Sequence, residues 1–294
     1  MLRETVEWCR AERQCATAGR PDRVTGHVPG TSHNCLGVGM TNVQQDGRVA
    51  LVTGASGAIG AAVARLLASR GMRVVANYRS SRDKADEVVD SIGSAGGQAM
   101  AVQADVLDRS AVAGMLEQAE AAMGEVEVLV HSALVPYAIK SFEEMPVDEL
   151  SGKVEQEIRA ASVVTKAVVP GMAKRGYGRI VYLGTMESAL PLEGMIALGT
   201  SKAALSSFAR FVAQELGPRG ITVNVVAPGP VGGHLHNVAL AHDQEHKQRL
   251  VAQTALGRLA SPEDVARAVA FYAGDDSEFV TGTTAPVNGG MAMD

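Results

Sequence analysis

From Arg48 onward, short runs of β-branched and other apolar residues alternate with longer Ala-rich segments whose apolar positions have helical spacing. Continuous apolar runs of this length are typical of strands buried on both faces, and the longer segments predict amphipathic helices. The predicted strands are residues 48–53, 73–78, 98–103, 126–131, 179–184, 221–227 and 283–287. The predicted helices are residues 58–70, 81–92, 110–122, 148–174, 201–216 and 262–272.

The regular order of strand and helix predicts the topology. Consecutive parallel strands joined through a helix require right-handed crossovers, which cover both faces of the sheet with helices. The pattern therefore predicts one α/β domain built on a doubly wound, parallel, seven-stranded sheet. Residues 230–250 interrupt the alternation with a polar, His-rich segment, for which we expect a mobile loop with one or two short helices.

Residues 1–40 differ from the rest of the chain, because they show little apolar periodicity and contain all three cysteines. We interpret them as a flexible extension, or as the product of a start codon assigned too early, since Met40 lies just ahead of the first predicted strand. A functional module in this segment is the alternative. The expected organisation is an extension over residues 1–40 followed by one domain over residues 41–294.

Composition narrows the classes of function. The 294 residues are 46% hydrophobic and 20% charged, with a net charge of −5; this is typical of a globular domain and provides no basic surface for nucleic acid. No apolar run reaches the roughly 18–20 residues that cross a bilayer. Cys9, Cys15 and Cys35 are too few and too far apart to suggest a metal site. We expect a cytoplasmic protein with no metal, nucleic-acid or membrane partner.

A glycine-rich turn follows the first predicted strand. Gly54, Gly57 and Gly60 lie between that strand and an Ala-rich helix. Glycines there allow the backbone to approach a pyrophosphate, while the helix N-terminus presents free N–H groups and the positive end of its dipole. The turn predicts a dinucleotide site; a glycine turn without a ligand is the alternative.

This turn resembles the Thr-Gly-x-x-x-Gly-x-Gly motif of the short-chain dehydrogenase/reductase family, and the resemblance extends over residues 46–292. Asp105-Val106 and Pro228-Gly229 are similar to the positions where that family holds adenine and flanks the nicotinamide. The resemblance implies a Rossmann-like fold and a nicotinamide cofactor. The expected cofactor contacts are Gly54, Ser56, Gly57, Ile59, Gly60, Asp105, Val106, His131, Lys202, Pro228, Gly229 and Val231.

The end of the second strand indicates which nicotinamide cofactor binds. An acidic residue about 20 residues past the glycines would bind the ribose 2′-hydroxyl and exclude a 2′-phosphate. Here that position is Asn77, and Arg79, Ser80 and Arg82 follow. Arginine and serine donors suit a phosphate dianion. We predict NADP(H) with contacts from Asn77, Arg79 and Ser80; a solvated basic loop is the alternative.

The catalytic pattern that the resemblance implies is only partly present. The family uses a tyrosine as proton donor or acceptor, a lysine four residues later, a serine that orients the carbonyl and an asparagine that anchors a water relay. Lys202 matches the lysine, Thr185 stands at the serine position, and Glu157 stands at the asparagine position. Leu198 replaces the tyrosine. The enoyl-reductase branch of the family places its tyrosine seven residues before the lysine, where this chain has Met195.

Another group must therefore supply the proton if the chain is a reductase. The sequence offers Tyr137, His131, Glu157, Glu187, Glu193, His234 and His236 as candidates. Each has an ordinary structural alternative, and for Glu157 that alternative is an ion pair with Lys202.

Two functions remain open. The first is an NADP(H)-dependent oxidoreductase that reduces a carbonyl (3-oxoacyl- or polyketide-like) or enoyl group of a hydrophobic substrate. In it Thr185 orients the oxygen, Lys202 binds the ribose, and water or Glu157 completes proton transfer. The second is a redox-silent relative: a partner subunit, an NADP(H) sensor, or a non-redox dehydratase or cyclase.

The family resemblance, together with the Ala-rich helix faces at residues 160–161 and 203–204, predicts a homo-oligomer, a tetramer or a dimer. The expected apolar pocket comprises Leu134, Met186, Leu190, Leu192, Met195, Ile196 and Leu198.

Overall fold

The computed structural model describes residues 47–232 and 244–293. These residues form a seven-stranded, fully parallel sheet in the order β3-β2-β1-β4-β5-β6-β7. This topology confirms the predicted doubly wound α/β fold. The strands are β1 (Val49–Thr53), β2 (Arg73–Tyr78), β3 (Gln98–Gln103), β4 (Val126–His131), β5 (Gly178–Leu183), β6 (Ile221–Pro228) and β7 (Thr284–Val287).

Helices cover both faces of the sheet, and the alternation of side chains along each strand divides the core into two layers. The helices are α1 (Ala58–Ser69), α2 (Arg82–Ser94), α3 (Arg109–Met123), α4 (Val147–Arg175), α5 (Ile196–Leu216), α6 (Gln244–Gln253) and α7 (Pro262–Tyr272). On β1, Val49 and Leu51 pack in the layer beneath α3, α4 and α5, whereas Ala50 and Val52 pack in the layer beneath α1, α2 and α7.

The start of α5 is the largest difference from the predicted elements. This helix begins at Ile196 and not at residue 201. Gly199 and Thr200 are weak helix formers, yet the lack of a side chain at Gly199 permits close packing. A Cβ there would lie 2.7 Å from the carbonyl oxygen of Glu187. The earlier start places Leu198 and Lys202 on one helix, one turn apart.

The segment after β6 was predicted as a loop with short helices. Within it, α6 spans Gln244–Gln253. Residues 1–40, with the three cysteines, and the candidates His234 and His236 lie outside the described residues. Within the part of the chain that the structure describes, no helix combines the length and apolar character needed to cross a membrane.

The strand order also determines where a ligand site forms. Strand β1 lies between β2 and β4, so the crossover direction reverses between β1 and β4. In open parallel sheets, ligands bind at the carboxyl ends of the strands beside such a reversal. The glycine turn that follows Thr53 and the loop that follows His131 meet at this point.

Candidate active site

A cleft of about 580 Å³ opens at the carboxyl ends of β1, β4, β5 and β6. The glycine turn, Thr185, Lys202 and Pro228–Val231 contribute to its lining, so the structure brings together most of the predicted site. Two predicted wall residues are absent from the lining: Met186 is buried beneath Gly229, and Ile196 lies at the start of α5. Leucine, isoleucine and methionine side chains that line it away from the glycine turn include Leu134, Ile139, Leu190, Leu192, Met195, Leu198, Leu250 and Met291.

The glycine turn is built so that backbone, not side chain, faces the cleft. Gly54 has φ +68°, and a Cβ on it would lie 2.8 Å from Cα of Ala133. A Cβ on Gly60 would lie 2.4 Å from the carbonyl oxygen of Gly54. Gly57 is the N-cap of α1 and carries no side chain that could cap the helix. A helix N-terminus at the floor of a cleft is an arrangement that suits a phosphate.

The turn departs from the family motif at one position. Counted from Thr53, the second glycine of Thr-Gly-x-x-x-Gly-x-Gly falls on Ala58, so Gly57 lies one residue early. Gly57 has an extended backbone with φ −85°, which any residue can adopt. The close backbone approach that the turn needs therefore depends on Gly54 and Gly60.

Beneath this turn, Thr53 joins the ends of β1 and β4. Its Oγ1 accepts hydrogen bonds from the backbone N–H groups of Ser132 and Ala133, at 3.2 Å each, and lies 3.0 Å from Nδ1 of His131. His131 is 1% exposed and does not line the cleft, so its predicted contact with the cofactor does not fit. Burial lowers the pKa of His131 to about 4 and keeps the ring neutral near pH 7.

Replacing His131 by asparagine should make the free energy of unfolding fall less as the pH is lowered. The folded-state pKa of His131 lies below its unfolded value of 6.5, so its stabilising effect is present above that value and is lost as pH falls toward about 4. At about 1.4 kcal/mol per pKa unit, the loss is about 3 kcal/mol. Urea denaturation between neutral pH and about pH 4 measures it. Identical pH slopes for the two proteins would contradict this account.

Three charged side chains form a buried triad behind the cleft. Oε1 of Glu157 lies 2.8 Å from Nζ of Lys202, and Oε2 lies 2.5 Å from Nζ of Lys153. Glu157 is 0% exposed and both lysines are 4% exposed. Lys202 also donates to the carbonyl of Leu183 at 2.7 Å, and Lys153 donates to that of Val135 at 3.0 Å. The triad therefore ties α4 to the loop after β4 and α5 to the end of β5.

The triad decides the role of Glu157. Burial alone would raise its pKa, but the ammonium groups of Lys202 and Lys153 outweigh burial and lower the pKa to about 2. The carboxylate stays ionised, and both of its oxygens are engaged. Proton transfer by Glu157 therefore does not fit the structure, whereas the ion pair with Lys202, the alternative interpretation, is present.

No acidic side chain of α5 lines the cleft near Lys202, whereas two line it from the segment between β5 and α5. Leu198 is buried and lines the cleft one turn before Lys202. The Thr185 hydroxyl donates to the carboxylate of Glu187, which also lines the cleft. A substrate oxygen that accepts from Thr185 must therefore take the place of Glu187 as acceptor. Glu193 lines the same side of the cleft.

At the end of β2, the predicted cofactor residues separate into two groups. Asn77 is buried, and its amide nitrogen lies 3.1 Å from the carbonyl of Ala104. Its side chain therefore links β2 to the segment after β3, which does not fit the predicted contact with the ribose phosphate. Arg79 and Ser80 are exposed beside it. Asp105 accepts the backbone N–H of Leu107 at 2.9 Å, and Val106 is buried next to it.

Sequence reasoning missed three side chains of this region. Lys153 belongs to the triad, and its signal was a Lys–Glu pair four residues apart on a helix face that continues with buried alanines. His246 and Arg249 line the cleft from α6, in the segment that was predicted as a mobile loop with one or two short helices. Within the described residues, no group of three or more His, Cys, Asp or Glu side chains is arranged to hold a metal ion.

Comparisons with known proteins agree with this architecture. The sequence matches the family described as enoyl-(acyl carrier protein) reductase over residues 54–292. It is 38% identical over 249 residues to an uncharacterized oxidoreductase of Methylorubrum extorquens. The matched region covers 84% of this chain and 98% of that protein. It is 36% identical over 248 residues to the 3-oxoacyl-(acyl-carrier-protein) reductase of Escherichia coli, with the same coverage of 84% and 98%. A solved dehydrogenase/reductase from Sinorhizobium meliloti superposes with a TM-score of 0.76 at 33% identity, covering 86% of this chain and 98% of that one.

Proposed function

The chain belongs to the short-chain dehydrogenase/reductase family of oxidoreductases, and from that premise we propose that it is an NADP(H)-dependent reductase. Its substrate is hydrophobic and carries a carbonyl, of the 3-oxoacyl or polyketide-like kind, or an enoyl group. The observation that carries this proposal is the convergence of the glycine turn, Lys202 and an apolar wall on one cleft. A cytoplasmic location is part of the same proposal.

The cleft has the features that a nicotinamide dinucleotide needs. The N-terminus of α1, with its positive dipole end, and the close approach of Gly54 and Gly60 allow the backbone to come near a pyrophosphate. Arg79 and Ser80 stand exposed for the 2′-phosphate, and Lys202 stands at the base of the cleft for the nicotinamide ribose. When bound, the reduced nicotinamide supplies a hydride to an electrophilic carbon.

The remaining residues bind and orient the substrate. Leucine and methionine side chains along one wall fit an acyl chain, which agrees with the likeness to a 3-oxoacyl-(acyl-carrier-protein) reductase. Thr185 donates a hydrogen bond to the substrate oxygen once that oxygen replaces Glu187 as acceptor. The net positive charge of the triad lies behind this point and favours negative charge that develops on the oxygen.

Turnover with a substrate panel tests this function. Purified protein is mixed with NADPH and with 3-oxoacyl and enoyl thioesters of increasing chain length, and NADPH absorbance is followed. We expect oxidation of NADPH that becomes faster as the acyl chain lengthens. Tight binding of NADPH with no turnover on any member of the panel would overturn the proposal. That result would favour a redox-silent function, which the replacement of the family's tyrosine by Leu198 makes the second candidate.

Replacing Arg79 by alanine should remove the preference for NADPH. Among the described residues Arg79 makes no side-chain hydrogen bond or ion pair, so its guanidinium is available to a phosphate. Loss of hydrogen bonds to a charged group, worth about 1.5–3 kcal/mol, weakens NADPH binding about 10- to 100-fold and leaves NADH binding unchanged. Arg82→Ala is the matched control, because Arg82 lies near Asp86 at 3.4 Å. Equal effects of the two substitutions in cofactor titrations would contradict the assignment.

We also propose that the protein is a homo-oligomer, a tetramer or a dimer. Phe211 on α5 is exposed, which supports an interface on that helix. The predicted contribution of Ala160 and Ala161 is wrong, because both are fully buried in the core of their own chain.

A further inference from the structure

The loop between β4 and α4, residues 132–146, carries a tyrosine into the cleft. Tyr137 lines the cleft together with Thr185, Leu198 and Lys202. Tyr182, on β5, is fully buried with its hydroxyl 2.6 Å from that of Thr165. Within the described residues, Tyr137 is the tyrosine whose side chain lines the cleft.

Two anchors hold the backbone on either side of Tyr137. On one side, the carbonyl of Val135 accepts a hydrogen bond from Nζ of Lys153 at 3.0 Å. On the other side, the N–H of Lys140 donates to the carbonyl of Gly194 at 3.1 Å, and Nζ of Lys140 lies 2.6 Å from Glu149. The phenol is thus fixed between the triad and the loop after β5, which reduces the entropy that an acid loses when it is oriented for proton transfer.

The triad extends to this side chain. Nζ of Lys153 lies 5.9 Å from the centre of the Tyr137 ring, within the range of a cation–π contact. A continuous path therefore runs from Lys202 through Glu157 and Lys153 to Tyr137. The charges of this triad sum to +1, which is opposite in sign to the charge of the phenolate that remains after the proton has left.

We propose, on the basis of the reductase function above, that Tyr137 is the catalytic residue that gives the proton to the substrate oxygen in place of the family's tyrosine on α5. When bound, reduced nicotinamide would supply the hydride that forms the new C–H bond at the carbonyl carbon, and the C=O π pair would move to oxygen. The O–H bond of Tyr137 then breaks, and its proton forms the O–H bond of the alcohol. The phenolate takes up a proton from the solvent, so the overall change adds one hydride and one proton to the carbonyl.

The protonation state of Tyr137 agrees with this role. Burial raises the pKa of its hydroxyl, and the charge of Glu187 raises it further, so the phenol keeps its proton near neutral pH. An alkoxide is a stronger base than a phenolate, so transfer to the substrate oxygen is favourable from such a phenol. Glu187 accepts a hydrogen bond from the hydroxyl of Thr185.

Substitution of Tyr137 by phenylalanine tests the proposal, with Tyr177→Phe as the matched control. Tyr177 lies outside the cleft lining and donates to Asp275 at 3.0 Å. We expect Tyr137→Phe to lower kcat by about 10²- to 10⁴-fold and to leave the Kd for NADPH and the thermal melting temperature unchanged. Tyr177→Phe should keep the wild-type kcat. A kcat of Tyr137→Phe within about threefold of wild type, far less than the loss of a catalytic acid, would overturn the proposal.

A pH profile of the wild-type enzyme tests the same point without a substitution. The charged and titratable groups that share this cleft are Glu187, Glu193, Lys202, His246 and Arg249, with Lys153 against the ring. A carboxylic acid or imidazolium donor would lose activity about tenfold per pH unit above its pKa. With Tyr137 as donor, kcat should stay flat between about pH 6 and pH 9; a tenfold fall per unit in this range would overturn the proposal.

These experiments test the reductase function and the assignment of its proton donor separately. Absence of any wild-type turnover, with NADPH bound, overturns the reductase function itself. Wild-type turnover that survives in Tyr137→Phe overturns only the assignment of the proton donor and leaves the reductase function in place.

Discussion

Replacing Glu157 by glutamine should lower the free energy of unfolding by about 3–5 kcal/mol, the range for removing one partner of a buried ion pair. Glutamine keeps the size of the side chain but removes its charge. The ammonium groups of Lys153 and Lys202, both buried, then face each other across a neutral amide. Burial already lowers the pKa of Lys153, so the variant should regain part of its stability as pH rises and a lysine loses its proton.

The matched control for this experiment lies on the same helix. Glu149 on α4 pairs with Lys140 at 2.6 Å, but these two side chains are 37% and 36% exposed. An ion pair in contact with water contributes only about 0–1 kcal/mol. Guanidinium denaturation of both variants measures the difference. Equal losses in the free energy of unfolding for Glu157→Gln and Glu149→Gln would show that the buried triad stabilises the fold no more than an exposed ion pair does.

Replacing Gly60 by alanine should weaken NADPH binding by about tenfold or more, the equivalent of about 1.4 kcal/mol. The new Cβ would lie 2.4 Å from the carbonyl oxygen of Gly54 and 2.9 Å from its carbonyl carbon. Both atoms belong to the backbone, so the turn must move and the first turn of α1 loses its alignment. Forcing atoms into a packed site also costs about 1–3 kcal/mol of stability. Cofactor titration and thermal melting measure the two effects.

Gly114→Ala provides the control for the glycine substitution. Gly114 lies within α3, and a Cβ there would meet no atom within 4 Å. Alanine at such a helical position stabilises by about 0.4–1 kcal/mol and should leave NADPH affinity unchanged. If the two alanine variants bind NADPH equally well, the close approach of Gly60 to Gly54 is not needed for the site.

Most of the fold could be predicted from local patterns, because parallel strands buried on both faces are continuously apolar and the intervening helices are Ala-rich. Helix α5 was the exception. Its first turn depends on Gly199, whose missing side chain allows contact with the backbone of Glu187. Helix propensity describes only the local chain, so it could not show a contact that forms between distant segments.

The site was predictable where it depends on the backbone and less so where it depends on burial. Gly54 and Gly60 serve the turn through their geometry, which the spacing already indicated. Asn77 and His131 were expected at the cofactor, yet both are buried and contribute to the ends of the sheet. Lys153 was overlooked because a lysine on a helix is usually solvated, and only the fold shows that its helix face is buried.

Titration of the purified protein with NADPH and with NADH, followed by nicotinamide fluorescence, tests the central claim most directly. The account predicts saturable binding of NADPH and much weaker binding of NADH, with Arg79→Ala removing the difference between the two. Failure to bind either cofactor would contradict the account, because the glycine turn would then be part of the fold without serving a dinucleotide.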